Sequence, residues 1–336
     1  MIESYIARLL EREDLPEKES ENAMSLIMSG QATEAQIAGF LVALRMKGET
    51  IPEITGCARA MRDAALTIEP GVENTIDTCG TGGDTRGTFN ISTAAAIVSA
   101  AADVPVAKHG NRSVSSSSGS ADVLQTLGVN IEAPPAVVEE CIRSVGIGFL
   151  FAPLLHKAMK YAIGPRRELA ARTVFNLLGP LTNPAGVKRQ LLGLYSGNLV
   201  EKIAGVLKSL GSEKALVVHS EDGLDELSVC GESKVAELND GQIETYRISP
   251  EKLGLPRGEL SDLEVESPEE SAEVIRAVLS GRQGPQRDVV VLNAGAAIYI
   301  GGKSGALEEG IETAANAIDS GQAEQTLQEL VKVSYQ

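Results

Sequence analysis

Through the first seventy residues the apolar positions recur at helical spacing and never alternate as a strand would. Ile2, Tyr5, Ile6, Leu9 and Leu10 form one stripe, and Ala23, Met24, Ile27 and Met28 a second that ends near Gly30. Thr33 can cap a third helix through Ala35, Ile37, Phe40, Leu41 and Leu44 to a stop at Gly48. A fourth is expected from Ile51 to Thr67, with Ile54, Ala58, Met61 and Ala65 on its apolar side. Residues 1–70 therefore predict a small helical domain. Its apolar faces exceed what four short helices bury among themselves, which favours a partner subunit.

After Pro70 the pattern changes. Short apolar runs at 74–79, 104–107, 146–149, 191–195, 215–219 and 289–292 predict strands. Helical periods separate them at 91–102, 120–127, 137–145, 199–210 and 271–279, and two more, 306–318 and 323–333, follow. Continuous apolar strands alternating with helices predict an α/β domain over 71–336, built on a mostly parallel sheet covered on both faces. Residues 228–246 alternate differently around Asn239-Asp240-Gly241 and predict a hairpin.

A hydrophobic content of 43% in 336 residues suits one large or two ordinary globular domains. The net charge of −16 argues against nucleic acid and anionic membranes as partners. The exception is local: Lys157, Lys160, Arg166, Arg167 and Arg172 cluster with only Glu168 opposing them, which suits a small anionic ligand. Cys57, Cys79, Cys141 and Cys230 lack metal-ligand spacing and are expected as reduced thiols. The acidic N-terminus does not resemble a signal peptide, and no run of about twenty apolar residues occurs, so a cytoplasmic location is expected.

Three groups suited to phosphate fall between Asp77 and Gly128. Gly80-Thr81-Gly82-Gly83-Asp84 is a glycine turn directly after a strand, where α/β proteins bind ligands. Asn90, Ser92 and Thr93 open a helix. Capping accounts for one of them, whereas extra hydroxyls can bond phosphate or complete a Mg²⁺ shell. Lys108-His109-Gly110-Asn111-Arg112 leads into serines ending at Ser118-Gly119-Ser120, which read as a mobile linker on composition or, running straight into a helix, as a hydroxyl-lined anion loop. Farther on, Asp225 and Glu226 follow a strand, where two hard oxygen donors suit Mg²⁺. Gly302-Lys303-Ser304 is not a P-loop, because Ala297 stands where its first glycine belongs.

Taken in order, GTGGD at 80–84, TFNIST at 88–93, KHGNR at 108–112, SSSSGSADVL at 115–124, RTVFNLLGPLTNP at 172–184 and GLDELS at 223–228 resemble the anthranilate phosphoribosyltransferases over nearly the whole chain. The resemblance implies a helical domain hinged to a larger α/β domain of nucleoside phosphorylase/phosphoribosyltransferase type. It implies a mid-chain return to the helical domain near 165–187, and a homodimer formed through that domain. The implied substrates are 5-phosphoribosyl 1-pyrophosphate and anthranilate, with two Mg²⁺ ions per subunit. By the same resemblance Gly80, Thr81, Gly82, Gly83, Asp84 and Thr88 meet the ribose and pyrophosphate. Asn90, Ser92, Thr93, Lys108, Ser118, Gly119 and Ser120 hold the phosphates. Ser92, Asp225 and Glu226 match the metal ligands. Gly80, His109, Asn111 and Arg166 match the anthranilate site, where the arginine pairs with the carboxylate and His109 positions rather than deprotonates. Arg167 is adjacent, so a one-residue shift would exchange the two arginines. Thr85, where a glycine is common, and Ala170-Ala171 depart from the family pattern. The competing readings are a nucleoside phosphorylase and a nucleic-acid-binding relative; the phosphorylase's lysine-serine motif is not found, and −16 opposes the second.

Overall fold

The computed structural model describes residues 1–83, 86–112 and 118–336. Four helices lead: α1 (Ile2–Leu10), α2 (Glu17–Met28), α3 (Glu34–Lys47) and α4 (Ile51–Asp63). Thr33 and Thr50 each accept from a backbone N–H three residues on, while Gln36 and Glu53 reach back to them. These reciprocal capping boxes fix where α3 and α4 begin. Helix α4 ends at Asp63, four residues earlier than its periodicity suggested. Beyond it the backbone bonds elsewhere: Leu66 N–H donates to the Leu155 carbonyl at 2.8 Å, and Ile68 N–H to that of Pro184 at 3.2 Å.

The rest of the chain is α/β. In order it forms β1 (Ile76–Gly80), α5 (Ile91–Ala101), β2 (Val106–Gly110), α6 (Ser120–Leu127), α7 (Pro135–Val145), β3 (Ile147–Phe151) and the single turn α8 (Ala152–Leu155). Then come α9 (Lys160–Leu169), α10 (Phe175–Leu181), β4 (Arg189–Gly193), α11 (Val200–Ser209), β5 (Lys214–Ser220), β6 (Ser233–Asn239) and β7 (Gln242–Ile248). Helices α12 (Pro268–Leu279), α13 (Pro285–Gly301), α14 (Leu307–Asp319) and α15 (Gln322–Val333) complete it.

The seven strands lie in the order β3-β2-β1-β4-β5-β6-β7. The first five are parallel, and β6 and β7 form the antiparallel hairpin expected around Asp240. The chain works outward from β1 through β2 to β3, then returns to the other side of β1 with β4. That reversal is the topological switch point of the sheet, at the carboxyl ends of β1 and β4, where open α/β sheets bind ligands.

Each sheet face carries its own core. One joins Ile76, Val106 and Leu191 to α5, α6 and α12 through α15. The other joins Leu192, Leu194 and Val217 to α11 and the N-terminal helices. Ala162 on α9 and Phe175, Leu178 and Leu181 on α10 share this second core with Ile27, Phe40 and Leu41. Helix α9 packs on α2 and α3, and α10 on α4.

One expected strand is a helix. Residues 289–292 lie inside α13, whose residues Val289–Ile298 are buried without a break. Four consecutive apolar residues cannot distinguish a buried strand from a helix apolar on every side. Tertiary contact decides: α13 packs on β1, β4 and β5 on one side and on α5 and α14 on others.

Candidate functional site

The glycine turn ends β1. Gly80 pairs with Gly193 across the β1–β4 boundary, and the loop after β5 brings Asp225 over both. A Cβ on Gly80 would lie 2.5 Å from the Asp225 Oδ2, and one on Gly193 would overlap the Asp225 carbonyl oxygen. Two glycines at matched register thus let a carboxylate reach the switch point. Gly82 (φ 64°) and Gly83 (φ 78°) turn through the left-handed region open to glycine. Gly82 N–H donates to the Asp225 carboxylate at 2.8 Å. Thr81 is anchored by its N–H to the Gly193 carbonyl at 2.9 Å, and its hydroxyl accepts from Tyr195 N–H at 3.0 Å. Asp84, Thr85 and residues 113–117 lie outside the described residues.

Asn90 gathers the second and third groups. It caps α5 by accepting from Thr93 N–H at 3.1 Å. The same oxygen receives the Ser92 and Ser120 hydroxyls at 3.4 Å each, and its amide donates to the Ser118 carbonyl at 3.2 Å. Ser118 is buried with its hydroxyl unpartnered, as is the Thr93 hydroxyl. Gly119 caps α6, so that helix start faces the start of α5. Thr88 forms a single bridge with Glu264 at the rim.

Lys108, 1% exposed, reaches beneath this array. Its ammonium donates to the Thr78 carbonyl at 2.7 Å and to the Ser92 hydroxyl at 3.2 Å. Burial pushes its pKa below the usual lysine value, opposed by the charges of Asp77, Cys79 and Glu226.

His109 points to the other side of β2. Burial, with His156 adding to it, pushes its ring down to about 3. Burial also pushes His156 down to about 4. The ring centroids are 5.1 Å apart. The Gly179 and Thr182 carbonyls at the end of α10 favour the protonated forms of His109 and His156 respectively, and only partly offset that burial. In both, Nε2 is buried without a partner. Two neutral imidazoles thus each keep a buried nitrogen unused. Asn111 is exposed, and its side-chain oxygen accepts from Arg112 N–H at 2.7 Å.

Arg166 on α9 is half-buried, its guanidinium 5.0 Å above the Phe175 ring, and burial lowers its pKa from a value far above neutrality. Arg167 is exposed. Arg172 connects the halves: it donates to the Gly83 carbonyl at 2.6 Å and lies 4.1 Å over Tyr195.

The structure thus gathers Gly80 and Gly82 against Asp225, and Asn90, Ser92, Ser118 and Ser120 with Lys108, at the ends of the adjacent strands β1 and β2. Sequence reading left His156, Arg172 and Gly193 unassigned. A histidine soon after a strand end, inside the one basic cluster, was the available signal for His156. Among the described residues no group of three or more His, Cys, Asp and Glu side chains gathers. Asp225 and the Ser92 hydroxyl carry oxygen donors of the hard type that Mg²⁺ takes together with water and phosphate oxygen.

Comparison with known proteins places the chain clearly. Residues 3–65 match the helical bundle domain of a glycosyl transferase family, and residues 72–324 match the a/b domain of the same family. The chain is 53% identical over 332 residues to an anthranilate phosphoribosyltransferase of Acetivibrio thermocellus, covering 99% of this chain and 96% of that one. It superposes on the crystal structure of the Thermus thermophilus anthranilate phosphoribosyltransferase with a TM-score of 0.94 at 44% identity, covering 98% and 99% of the two chains. The Saccharomyces cerevisiae enzyme in complex with PRPP and Mg aligns at a TM-score of 0.90 and 28% identity, over 99% and 98%. Its complex with 4-fluoroanthranilate aligns at 0.89 and 28%, over 99% and 97%.

Proposed function

The chain belongs to the anthranilate phosphoribosyltransferases, and from that membership we infer that it moves the phosphoribosyl group of 5-phosphoribosyl 1-pyrophosphate onto the amine of anthranilate. The products are N-(5-phosphoribosyl)anthranilate and pyrophosphate, a step of tryptophan biosynthesis. One observation carries the reading for these residues: the Gly82 backbone is bonded to the Asp225 carboxylate at the β1–β4 switch point, and from the neighbouring β2 Lys108 reaches Thr78 on β1 and the Ser92 hydroxyl.

The donor binds across the ends of β1 and β2. Gly80 to Gly83, with Asp84 and Thr88, enclose ribose and pyrophosphate; Asn90, Ser92, Thr93 and Lys108 hold phosphate with Ser118, Gly119 and Ser120. The acceptor lies against Gly80, His109 and Asn111, and Arg166 pairs with its carboxylate, to which a planar guanidinium brings both charge and orientation. Ser92, Asp225 and Glu226 would hold Mg²⁺, two ions per subunit. When bound, Mg²⁺ offsets the negative charge that gathers on departing pyrophosphate.

The anthranilate amine is uncharged and attacks without first losing a proton. Departure of pyrophosphate from ribose C1 is the harder event, because it leaves oxocarbenium-like charge on the sugar. Lys108 and the backbone N–H groups stabilise the leaving group at fixed positions, and in-line placement of the amine inverts C1. His109, neutral throughout the physiological range, orients the acceptor. Closure of the helical part onto the α/β part excludes water.

The helical domain, residues 1–70 with the 165–187 segment, pairs with its copy in a homodimer, and the enzyme works in the cytoplasm. Val42 and Met46, one turn apart on α3 and 42% and 71% exposed, support that surface.

Anthranilate fluorescence tests the reaction. Its loss should require protein, donor and Mg²⁺ together. Unchanged fluorescence with all three present overturns the assignment, and consumption of a nucleoside with orthophosphate would install a phosphorylase instead.

A further inference from the structure

Two residues have no role in the mechanism above: Asp77, three residues before the glycine turn, and Asn183, near the end of RTVFNLLGPLTNP. Asp77 is wholly buried and Asn183 is 2% exposed. One oxygen of Asp77 accepts from the His109 backbone N–H at 3.1 Å. The other accepts from the Asn183 amide at 2.8 Å. That amide also donates to the Ala107 carbonyl at 2.9 Å, and its oxygen accepts from Ala185 N–H at 2.8 Å, so its orientation is fixed. Just before Asn183 stand Gly179 and Thr182, whose carbonyls partly offset the effect of burial on His109 and His156.

A buried carboxylate is unfavourable in itself. Burial pushes the Asp77 carboxyl up, against the Asn183 bond, the Lys108 charge and the His109 amide. Lys108 is the reciprocal case: burial pushes it down, and Asp77 is the largest of the charges opposing that. An uncharged side chain could occupy this position at lower cost, so what Asp77 contributes is its charge and two accepting oxygens.

We propose that Asp77 is a positioning residue for both halves of the site: its carboxylate holds the amide that joins donor-side Lys108 to acceptor-side His109, and Asn183 fixes that carboxylate in turn. This rests on the substrates assigned above. Two substitutions separate its parts. In Asp77→Asn the side-chain oxygen still accepts from His109 N–H, but an NH₂ faces the Asn183 NH₂ and the charge opposite Lys108 is lost. In Asn183→Ala that charge stays, while Asp77 and the Ala107 carbonyl lose the Asn183 donor and Ala185 N–H loses its acceptor.

The test uses the full chain as wild type, Asp77→Asn and Asn183→Ala, with each substrate varied in turn. Thermal midpoints and the ¹⁵N signals of the His109 and His156 rings accompany the kinetics. Asp77→Asn should raise KM for both substrates by about tenfold or more, in the range of other supporting hydrogen-bond partners. Asn183→Ala should raise KM for anthranilate about tenfold, leave the donor within about twofold, and move the His109 ring signals. If both variants keep both KM values and ring signals while only the midpoint falls, the pair is structural and the proposal is overturned. Should Asp77→Asn fail to fold, Asn183→Ala decides alone, and an unchanged anthranilate KM with unchanged ring signals overturns it. If the wild type consumes no anthranilate, the substrate assignment fails separately. Calorimetric binding of magnesium pyrophosphate to Asp77→Asn then decides, with roughly tenfold weakening supporting the proposal and unchanged affinity overturning it.

Discussion

Gly82 donates its backbone N–H to the Asp225 carboxylate at 2.8 Å although 143 residues separate them. An amide suited to pyrophosphate and a carboxylate suited to Mg²⁺ thus satisfy each other across the β1–β4 switch point. Glycine at 80 and 193 is what permits the approach, since a Cβ at either would collide with Asp225.

Replacing Asp225→Asn together with Glu226→Gln removes both carboxylate charges while conserving volume. Turnover should fall by about 100-fold or more, and the circular dichroism spectrum should stay that of the wild type. Near-normal turnover at saturating Mg²⁺ would remove these residues from the metal site.

Arg166 is half-buried above Phe175, whereas Arg167 is exposed. Arg166→Ala should raise the anthranilate KM by about 10- to 100-fold, because a charge-assisted pair is lost, and barely change that of the donor. Arg167→Ala should change neither. The opposite pattern in steady-state kinetics would transfer the carboxylate to Arg167.

Acid should destabilise the fold through two rings. Burial holds His109 near 3 and His156 near 4, against about 6.5 in an unfolded chain. Above pH 6.5 both states carry neutral rings and nothing depends on pH. As pH falls below that, the unfolded chain binds protons that the folded chain refuses. Stability then drops by up to about 1.4 kcal/mol per pH unit for each ring. Denaturant titrations at pH 7.5 and 5 should show that slope in the wild type and a flatter one in His109→Gln/His156→Gln. Equal slopes would mean that the rings are not held neutral.

Val42→Glu with Met46→Glu places two charges on the exposed face of α3. Sedimentation should report a dimer for the wild type and a monomer for the variant, with the helical content unchanged. A wild type that sediments as a monomer would sink the homodimer.

Most of the fold was legible because it rests on local rules. Stripes at a period of 3.6 marked α1 to α4, Thr33 marked a helix start, and Asn239-Asp240-Gly241 marked the β6–β7 hairpin. The failure at 289–292 is instructive for the same reason: α13 is apolar on every side, so periodicity carried no signal there. The motifs were equally legible, but their partners were not. Nothing in the sequence says that Asn90 receives hydroxyls from Ser92 and Ser120 at once, or that His156 stands against His109.

The sequence by itself determined the elements, the motifs and, through their order, the family. Each of these depends on residues near one another in the chain, where spacing and side-chain type suffice. Only the tertiary structure decided which motifs share a site. The parallel order β2-β1-β4-β5 brings the ends of four strands to one edge of the sheet, so Lys108, the glycine turn, Gly193 and the Asp225 loop meet there. Burial, set by the whole core, then decided the charge states, pushing both histidines toward neutrality and setting Asp77 against Lys108. Spacing along a chain encodes neither the order of strands in a sheet nor the desolvation of a group at its centre.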